Sequence, residues 1–452
     1  MKASFNYKFR YLILPGLKRW ILTIIIGITG IVIGVLLLLG YHPITLSGIF
    51  LRELAEHAAD VLPHRISGII VIAIGIFAVC IAVARVTLSV LGAYLPSDRE
   101  AIADALFKKR HLESGPKIVV IGGGTGLANL LTGLKTYTNN LTAIVTVGDD
   151  GGSSGRLREE LGVIPPGDIR HCITALADEQ KIVTELFNYR FQSGEGLSGH
   201  SFGNLFLSAL CAITHGDMIE ATKVASRVLN SRGQVLPSSL TPVTLIAELE
   251  DGRIVQGESH ITQANSQIKQ IFCEPKNPLP VPETLNAILN ADLIVIGPGS
   301  LYTSIIPNFL VKAITNAINQ AKGYKIFICN VANQKGETLN YTAYDHLQAL
   351  FNHTTNEVKP ENLVNAILIN EIPQNLLNND QIELVKIDHT KFIQSSIEIV
   401  KRNLVNEKNL THHSPAKLAR AIMLWFMRKQ KTSVKPLTTT TPNKILAPRK
   451  IS

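Results

Sequence analysis

The feature that most constrains the fold is a series of short apolar runs, each followed by glycine or polar residues. The first run, KIVVI at 117–121, precedes GGGTG and then LANLLTGL, which has helical spacing. Three further runs of this kind lie at 141–147, 291–297 and 324–330. Strands that alternate with helices predict an α/β fold with a mostly parallel sheet and helices on both faces. The segment 243–261 alternates apolar and polar residues and predicts a β-hairpin outside this sheet.

Two long apolar runs precede this pattern. Trp20–Leu39 has 20 residues without a charge, and Ile66–Ala84 has 19. Each is long enough to cross the roughly 30 Å hydrocarbon core of a bilayer, whereas buried core helices are rarely uncharged over such a length. The first run is too long for a cleaved signal peptide, and a second run follows it. The sequence therefore predicts two transmembrane helices, at 20–39 and 66–84.

Basic residues flank this pair of runs on its outer sides. Five precede the first run and five lie between residues 85 and 110, whereas the connecting segment has two, offset by three acidic residues. Positive residues stay on the cytoplasmic side of a membrane. We therefore expect a multi-pass membrane protein whose N-terminus and main domain are cytoplasmic.

The net charge of +9 belongs to the two ends of the chain. Residues 1–20 carry five basic residues and residues 428–452 carry seven, and neither end has an acidic residue, which leaves the remainder slightly acidic. This distribution favours contact with an anionic membrane surface and disfavours nucleic acid as a partner. The five cysteines show no CxxC spacing, so a zinc site is not expected.

Composition divides the chain into four parts. We expect a membrane hairpin at 1–96, a linker helix at 97–116 and a ligand-binding domain at 117–430. The basic segment 431–452, with four consecutive threonines and three prolines, is predicted to be disordered.

The loop Val147–Arg158 (VGDDGGSSGRLR) is the strongest candidate for ligand binding. Its glycines let backbone N–H groups approach a phosphate, and Ser153, Ser154 and Arg156 can donate hydrogen bonds. Asp149 and Asp150 can hold Mg²⁺ together with substrate phosphates, or a sugar hydroxyl. The alternatives are a surface turn and, for either aspartate, a cap on the helix that starts near Ser154.

Two other glycine-rich turns follow predicted strands. Gly122–Gly126 offers free N–H groups at a helix N-terminus, which favours an anion. It fails the dinucleotide fingerprint because Leu127 stands at the third glycine position, and no Gly-Lys-Ser/Thr sequence follows as in a P-loop. Gly297–Ser300 repeats the same arrangement, with Ser300 able to donate. A tight turn would explain one or two of these glycines but not all of them.

Four polar residues complete the candidate site. Asp168 can contact a ligand or cap the helix HCITALAD, and Arg170 lies in the first turn of that helix, where a cation favours a nearby anion. His200 and Asn204 are one helical turn apart and could face one ligand, although a structural role is as frequent for a lone histidine.

Together these motifs resemble those of the YvcK-type gluconeogenesis factors. IGGGTGL, VGDDGGSSGRLR, GVIPPGDIR, GHSFGN and GPGSLYTSIIPN occur in the family's order, between about Lys117 and Lys429. This family is related to the 2-phospho-L-lactate transferase CofD. The resemblance implies a Rossmann-like domain that binds a nucleotide diphosphate or a UDP-sugar, with roles in carbon-source adaptation, cell shape and envelope synthesis.

The chain departs from the family pattern at two places. Asn330-Val331-Ala332-Asn333-Gln334 stands where a methionine-threonine pair more often precedes the glutamine, and Val147-Gly148 replaces the common alanine before the aspartates. The apolar N-terminal part lies outside the family's soluble core. The ligand's base and sugar are therefore left open.

The sequence supports two candidate functions, both favoured over a third, a Rossmann oxidoreductase. The first is a membrane-tethered regulator that senses a nucleotide sugar and could form homo-oligomers. The second is a CofD-like transferase that uses a nucleotide diphosphate with Mg²⁺ on Asp149 or Asp150. The predicted ligand-binding residues are Gly122, Gly123, Gly124, Thr125, Gly126, Asp149, Asp150, Ser153, Ser154, Arg156, Asp168, Arg170, His200, Asn204, Gly297, Pro298, Gly299 and Ser300.

Overall fold

A computed structural model of the chain describes residues 17–39, 64–94, 110–178, 181–354, 358–371, 383–393 and 395–433. The chain divides into two compact units, Met1–Lys108 and Lys109–Ser452. The predicted linker helix at 97–116 is described only from residue 110 onward, where residues 110–113 are helical.

The N-terminal unit contains two apolar helices, α1 (Leu17–Leu39) and α2 (His64–Tyr94), which contact each other. Their contact is made by glycines. A Cβ atom built on Gly27 would lie 3.0 Å from the Gly75 carbonyl oxygen, and one on Gly34 would lie 2.9 Å from that of Gly68. Such close backbone approach through small residues is typical of helices packed in membranes.

Of these two helices, only α2 is long and apolar enough to span a bilayer. Its apolar stretch is Gly68–Thr87, with a mean hydropathy of 2.9, whereas the stretch in α1 covers Leu22–Val35. The prediction of two transmembrane helices is thus corrected to one candidate span among the described residues.

The C-terminal unit is built on a seven-stranded sheet whose strand order is β10-β9-β8-β7-β1-β2-β3, with every pairing parallel. The described strands are β1 Ile118–Gly122, β2 Leu141–Val145, β3 Gln234–Pro237, β4 Thr244–Leu249, β5 Ile254–Gln256, β6 Ile268–Glu274, β7 Leu293–Ile296, β8 Tyr324–Ile328, β9 Ala366–Asn370, β10 Glu398–Arg402, β11 Val405–Asn406 and β12 Asn409–His413. The chain runs outward from β1 through β3 and then returns to the other side of β1 at β7. Strand order therefore reverses between β1 and β7, where ligands bind in such sheets.

Helices connect and cover these strands. Those described in this unit, besides residues 110–113, are α3 Gly124–Leu134, α4 Gly152–Leu161, α5 Pro166–Leu176, α6 Lys181–Asn188, α7 Phe202–Ile213, α8 Met218–Val228, α9 Glu258–Gln263, α10 Pro282–Leu289, α11 Ile306–Leu310, α12 Lys312–Gln320, α13 Ala343–Asn352, α14 Pro360–Leu363, α15 His389–Phe392 and α16 Pro415–Ser433. A π-helical turn, Leu301–Ile305, precedes α11.

The core confirms that the four apolar runs form sheet strands. All five residues of β1 are buried, and so are all those of β2 and β7. Because successive strand side chains point to opposite faces, the sheet is covered on both faces at its centre. The polar side of α3 faces away from the sheet, since its leucines at 127, 130, 131 and 134 are all buried.

Of three other local predictions, the hairpin is confirmed, and the start of one helix and the start of the C-terminal tail differ from the structure. The predicted hairpin is confirmed, because β4 pairs antiparallel with β5, and β6 adds a third strand. The helix expected to begin at His171 begins instead at Pro166, since proline is favourable in the first helical turn. Helix α16 extends to Ser433, so it takes the first residues of the predicted tail, and the rest of that tail lies outside the described residues.

Candidate functional site

A cleft lies at the carboxyl ends of β1 and β7, the point where strand order reverses. We call it the β1–β7 cleft, and its volume is about 520 Å³. It is lined by Gly123, Gly124, Thr125, Gly126, Asn129, Glu258, Pro298, Gly299, Ser300, Ser304, Asn330, Val331, Ala332, Asn333, Gln334, Thr411, His412 and His413. Seven of the predicted site residues are among them: Gly123–Gly126 and Pro298–Ser300.

The loop after β1 forms one wall of the cleft through its backbone. Gly123 is the N-cap of α3 in an extended conformation, and Gly124 has a φ of +63°, which glycine adopts without strain. A Cβ atom on Gly126 would lie 2.9 Å from the Pro298 carbonyl oxygen. Glycine at 126 therefore lets the loops after β1 and β7 come into contact.

The loop after β7 forms the opposite wall. It contains a cis peptide bond between Gly297 and Pro298 and leads into the π-helical turn. The Asn330 amide donates to the Gly299 carbonyl at 2.8 Å, and the Ser300 hydroxyl donates to Gln334 Oε1 at 2.8 Å. The Ser300 proton, expected to serve a ligand, is thus used within the protein, and only its oxygen lone pairs remain to accept.

A buried carboxyl group, which the sequence analysis missed, holds this second loop. Glu337 is fully buried and accepts hydrogen bonds from the Tyr302 backbone N–H at 3.2 Å and the Thr303 hydroxyl at 3.2 Å. Burial raises the pKa of Glu337 to about 7. No pattern in the sequence marks this glutamate, because its partners come from a segment more than thirty positions earlier.

Asp149 and Asp150 are adjacent in sequence but have different partners. Asp150 Oδ1 accepts from the backbone N–H of Ser259 at 2.9 Å and from its hydroxyl at 2.6 Å, so it fixes the start of α9. Asp149 accepts from the Gly151 N–H at 2.9 Å and from Ser154. The two aspartates therefore contact different segments, Asp150 the start of α9 and Asp149 its own loop.

Asp168 caps the N-terminus of a neighbouring helix instead of its own. Its carboxylate accepts from the Gly124 N–H at the start of α3, whereas the N-cap of α5 is Pro165. The sequence prediction that Asp168 could cap the helix HCITALAD is therefore wrong. Asp168 occupies the same backbone region to which a phosphate was assigned.

Three carboxyl groups gather next to the β1–β7 cleft: Asp149, Asp168 and Glu258. Burial, and then the charge of Asp149, raise the pKa of Asp168 to about 7. Burial, followed by Asp149, Asp168 and Asp150, raises the pKa of Glu258 to about 9. Glu258, which lines the cleft, was not predicted, since nothing near it in sequence resembles a binding motif.

This acidic group is not a complete metal centre on its own. Within the described ranges, no three His, Cys, Asp or Glu side chains are placed to hold a metal ion together. Mg²⁺ commonly takes only one or two protein carboxylates and completes its shell with water and substrate phosphates. The oxygen-only donors here fit a Mg²⁺ ion that enters with a phosphate.

The serines of the glycine-rich loop meet the GHSFGN segment in the interior. Ser153 Oγ lies 3.0 Å from His200 Nδ1, and the Asn204 amide donates to Ser153 at 3.0 Å. The three residues are buried, and Ser154 continues the network to Asp149. The structure thus brings these predicted residues together, but beneath the cleft and not on its wall.

The two predicted arginines also lie outside the cleft wall. Arg156 donates to the Ser198 carbonyl at 2.9 Å. Arg170 is 5% exposed and donates to Asn188 at 3.2 Å and to His171 Nε2 at 2.6 Å. Arg170 therefore holds α5 against α6, which explains its position better than a direct phosphate contact does.

Comparisons with known proteins match these motifs. The model of the CofD family, described as 2-phospho-L-lactate transferase CofD, matches residues 118–405. A gluconeogenesis-factor relative from Nostoc sp. is 46% identical over 421 residues, 91% of each chain. The gluconeogenesis factor of Bacillus subtilis is 47% identical over 310 residues, 67% of this chain and 96% of its own.

A solved structure agrees with this assignment. The crystal structure of a UPF0052-family protein from Bacillus halodurans has a TM-score of 0.64 and 45% identity, and it covers 69% of this chain and 99% of that one. The chain therefore belongs to the gluconeogenesis factor family, within the larger CofD family.

Proposed function

We propose that this chain is a regulatory protein that binds a nucleotide sugar, expected to be UDP-linked, and adjusts carbon-source use, cell shape and envelope synthesis. The β1–β7 cleft carries the proposal. Its volume of about 520 Å³ suits a small molecule. Two glycine-rich loops form its walls, and the amide side chains of Asn330, Asn333 and Gln334 line it. Such groups are suited to phosphates and to neutral polar groups.

A cation would have a defined place in this cleft. The N-terminus of α3 favours an anion, yet Asp168 already accepts from Gly124 there. A phosphate would face this carboxyl group and Glu258 unless a cation lay between them. We propose that one or two carboxyl groups of the set Asp149, Asp168 and Glu258 hold Mg²⁺, and only together with the diphosphate of the ligand. The ion would neutralise charge between the phosphates and the carboxylates.

The relatives favour regulation over catalysis. The proteins matched along most of the chain are named for gluconeogenesis and not for a reaction. The CofD description implies transfer of a phosphorylated group, and the experiment below would detect such a reaction.

Titration calorimetry of the full-length chain tests the proposal with UDP-glucose, UDP and GDP, each with and without Mg²⁺. We expect UDP-glucose to bind in the presence of Mg²⁺ and to be recovered unchanged. Mg²⁺ should raise the affinity of the wild type for UDP-glucose. In Glu258→Gln, which removes a carboxyl group from the cleft wall, this increase should be at least tenfold smaller. Glu283→Gln, at an exposed position of α10, serves as the matched control and should bind like the wild type.

Two results would count against the proposal. Failure of all UDP ligands to bind would exclude the nucleotide-sugar assignment. Mg²⁺-dependent conversion of a GDP-linked substrate would replace the regulatory role with a transferase activity.

We further propose that α2, against which α1 packs, attaches the chain to a membrane, with the C-terminal unit cytoplasmic. The outward side chains of α2 are large and apolar, and Phe77 is 68% exposed. The 421-residue match to the Nostoc relative is longer than the C-terminal unit, so it extends into this helical pair. Basic residues on the outer flanks support the orientation.

Alkaline extraction of cell membranes tests this attachment. The full-length chain should stay in the membrane pellet, and Ile74→Asp on the outward face of α2 should release a large part of it. Ile213→Asp, an exposed apolar position in the C-terminal unit, is the control and should stay in the pellet. Release of the unaltered chain by alkali would refute membrane insertion.

A further inference from the structure

A second cavity lies beside the β1–β7 cleft. Its volume is about 510 Å³, nearly that of the cleft itself. Thr125 and Asn129 of α3 line both spaces, so the two cavities meet along this helix. The other lining residues are Ala128, Thr132, Lys135, His171, Thr174, Ala175, Ala177, Asp178, Thr184, Glu185 and Asn188.

Three helices line this cavity with faces that carry both polar side chains and alanines. Helix α3 contributes residues at 125, 128, 129 and 132, whose spacing places them on one face. Helix α5 contributes 171, 174 and 175 in the same way, and α6 contributes 184, 185 and 188. Helices packed together normally bury apolar faces between them. Here threonine, asparagine and histidine side chains stand among alanines, so the space between the three helices suits a group that carries hydroxyl groups on an apolar frame, as a sugar ring does.

The walls offer both donors and acceptors of hydrogen bonds. Thr132 and Thr174 donate their protons to carbonyls one turn earlier, at 3.1 and 2.8 Å, so their lone pairs can accept from a ligand. Asn188 accepts from Arg170 through Oδ1, which leaves its amide N–H₂ as a donor. A lining with both functions matches hydroxyl groups, which donate and accept at once.

His171 also lines the cavity, and its contact with Arg170 fixes the tautomer of the imidazole ring. The Arg170 guanidinium can only donate, so His171 Nε2, 2.6 Å away, must be the acceptor. The proton then resides on Nδ1, which has no hydrogen-bond partner within the described part of the chain. Burial and the two nearby arginines lower the pKa of His171 to about 4, so the ring is neutral at physiological pH.

We infer that this second cavity holds the glycosyl group of the nucleotide sugar. The inference rests on the proposed function, in which the diphosphate lies at the N-terminus of α3. From there the ligand extends past Thr125 and Asn129, along the polar face of α3, into the cavity. The nucleoside stays in the β1–β7 cleft, and the hydroxyl groups of the sugar meet Thr132, Thr174 and Asn188.

The test compares UDP with UDP-glucose on the full-length chain by titration calorimetry. Thr132→Phe and Thr174→Phe fill the cavity from two different walls. The matched control is Thr136→Phe, an exposed threonine four residues beyond Thr132 that does not line the cavity. Wild type should bind UDP-glucose at least tenfold more tightly than UDP. Both filling variants should lose this preference while binding UDP normally, and the control should keep it.

The outcomes separate this inference from the proposed function. If the wild type binds no UDP ligand, the proposed function fails, and the inference fails with it. If the wild type binds UDP but shows no preference for UDP-glucose, or if both filling variants keep that preference, only the glycosyl cavity is refuted. Should Thr174→Phe misfold, Thr132→Phe decides, because Thr132 is exposed.

Discussion

The two loops that form the β1–β7 cleft share one pattern of strand, glycine and helix, but they are held in different ways. After β1, the extended Gly123 and the left-handed Gly124 lead directly into α3, and the Asp168 carboxylate accepts from the Gly124 N–H. After β7, Glu337, Asn330 and Gln334 hold the loop through hydrogen bonds. In the first loop one carboxylate contacts the backbone and close packing requires the absence of Cβ atoms, whereas three side chains from a later segment hold the second loop.

The largest effect should come from removing the buried anchor of the second loop. Glu337→Ala leaves the Tyr302 N–H and the Thr303 hydroxyl without their acceptor and opens a cavity. We expect the free energy of unfolding at pH 6 to fall by about 4 kcal/mol. Denaturant unfolding of the wild type and the variant measures this loss. Glu337→Gln, which keeps an acceptor oxygen, should lose much less, and equal losses would show that the hydrogen bonds are not what matters.

The same residue should make stability depend on pH. Burial raises the pKa of Glu337 from 4.5 to about 7. Between these values the folded carboxyl group keeps a proton that the unfolded chain has lost, so its contribution to stability falls as pH rises. Glu337→Gln cannot titrate. The stability of this variant relative to wild type should therefore rise between pH 4.5 and 7, by roughly 3 kcal/mol at most. A constant difference across this range would contradict the prediction.

This contrast explains which parts of the molecule the sequence could predict. The runs at 117–121 and 291–297 are apolar because both faces of their strands are covered, so composition alone identifies them. Glycine at 124 is required by its positive φ, which is a property of the local backbone and can be predicted from the local sequence. The same holds for the β4–β5 hairpin.

The parts that escaped prediction depend on contacts between distant segments. Glu258 and Glu337 become important only because the fold brings them to loops far away in sequence. The pairing of Asp150 with Ser259 likewise separates it from Asp149, although the two aspartates look equivalent in the sequence. Arg170 carried the signal of an anion site, but its neutral partner Asn188 lies on α6, whose packing against α5 no motif encodes.

Replacing a glycine of the first loop tests whether the close packing of this loop requires the absence of a side chain. Gly126→Val would push against the Pro298 carbonyl and Gly299, because even a Cβ atom at 126 lies 2.9 and 3.1 Å from their backbones. We expect a loss of about 2 kcal/mol in unfolding free energy and a marked weakening of UDP-glucose binding. Gly152→Ala is the control, since its φ is +48° but a Cβ atom there meets nothing within 4 Å. Strain alone should cost about 1 kcal/mol and leave binding intact.

The smallest expected change in stability comes from removing one hydroxyl group from each loop. Ser300→Ala removes the 2.8 Å hydrogen bond to Gln334 and should lower the free energy of unfolding, without ligand, by about 1 kcal/mol. Thr125→Ala changes the hydroxyl-bearing residue of the first loop, which is exposed, and should change stability by less than about 0.5 kcal/mol. Denaturant unfolding of both variants without nucleotide gives the comparison. If Thr125→Ala destabilises the chain as much as Ser300→Ala does, then side chains support both loops, and the distinction between a glycine-formed wall and a side-chain-supported wall is wrong.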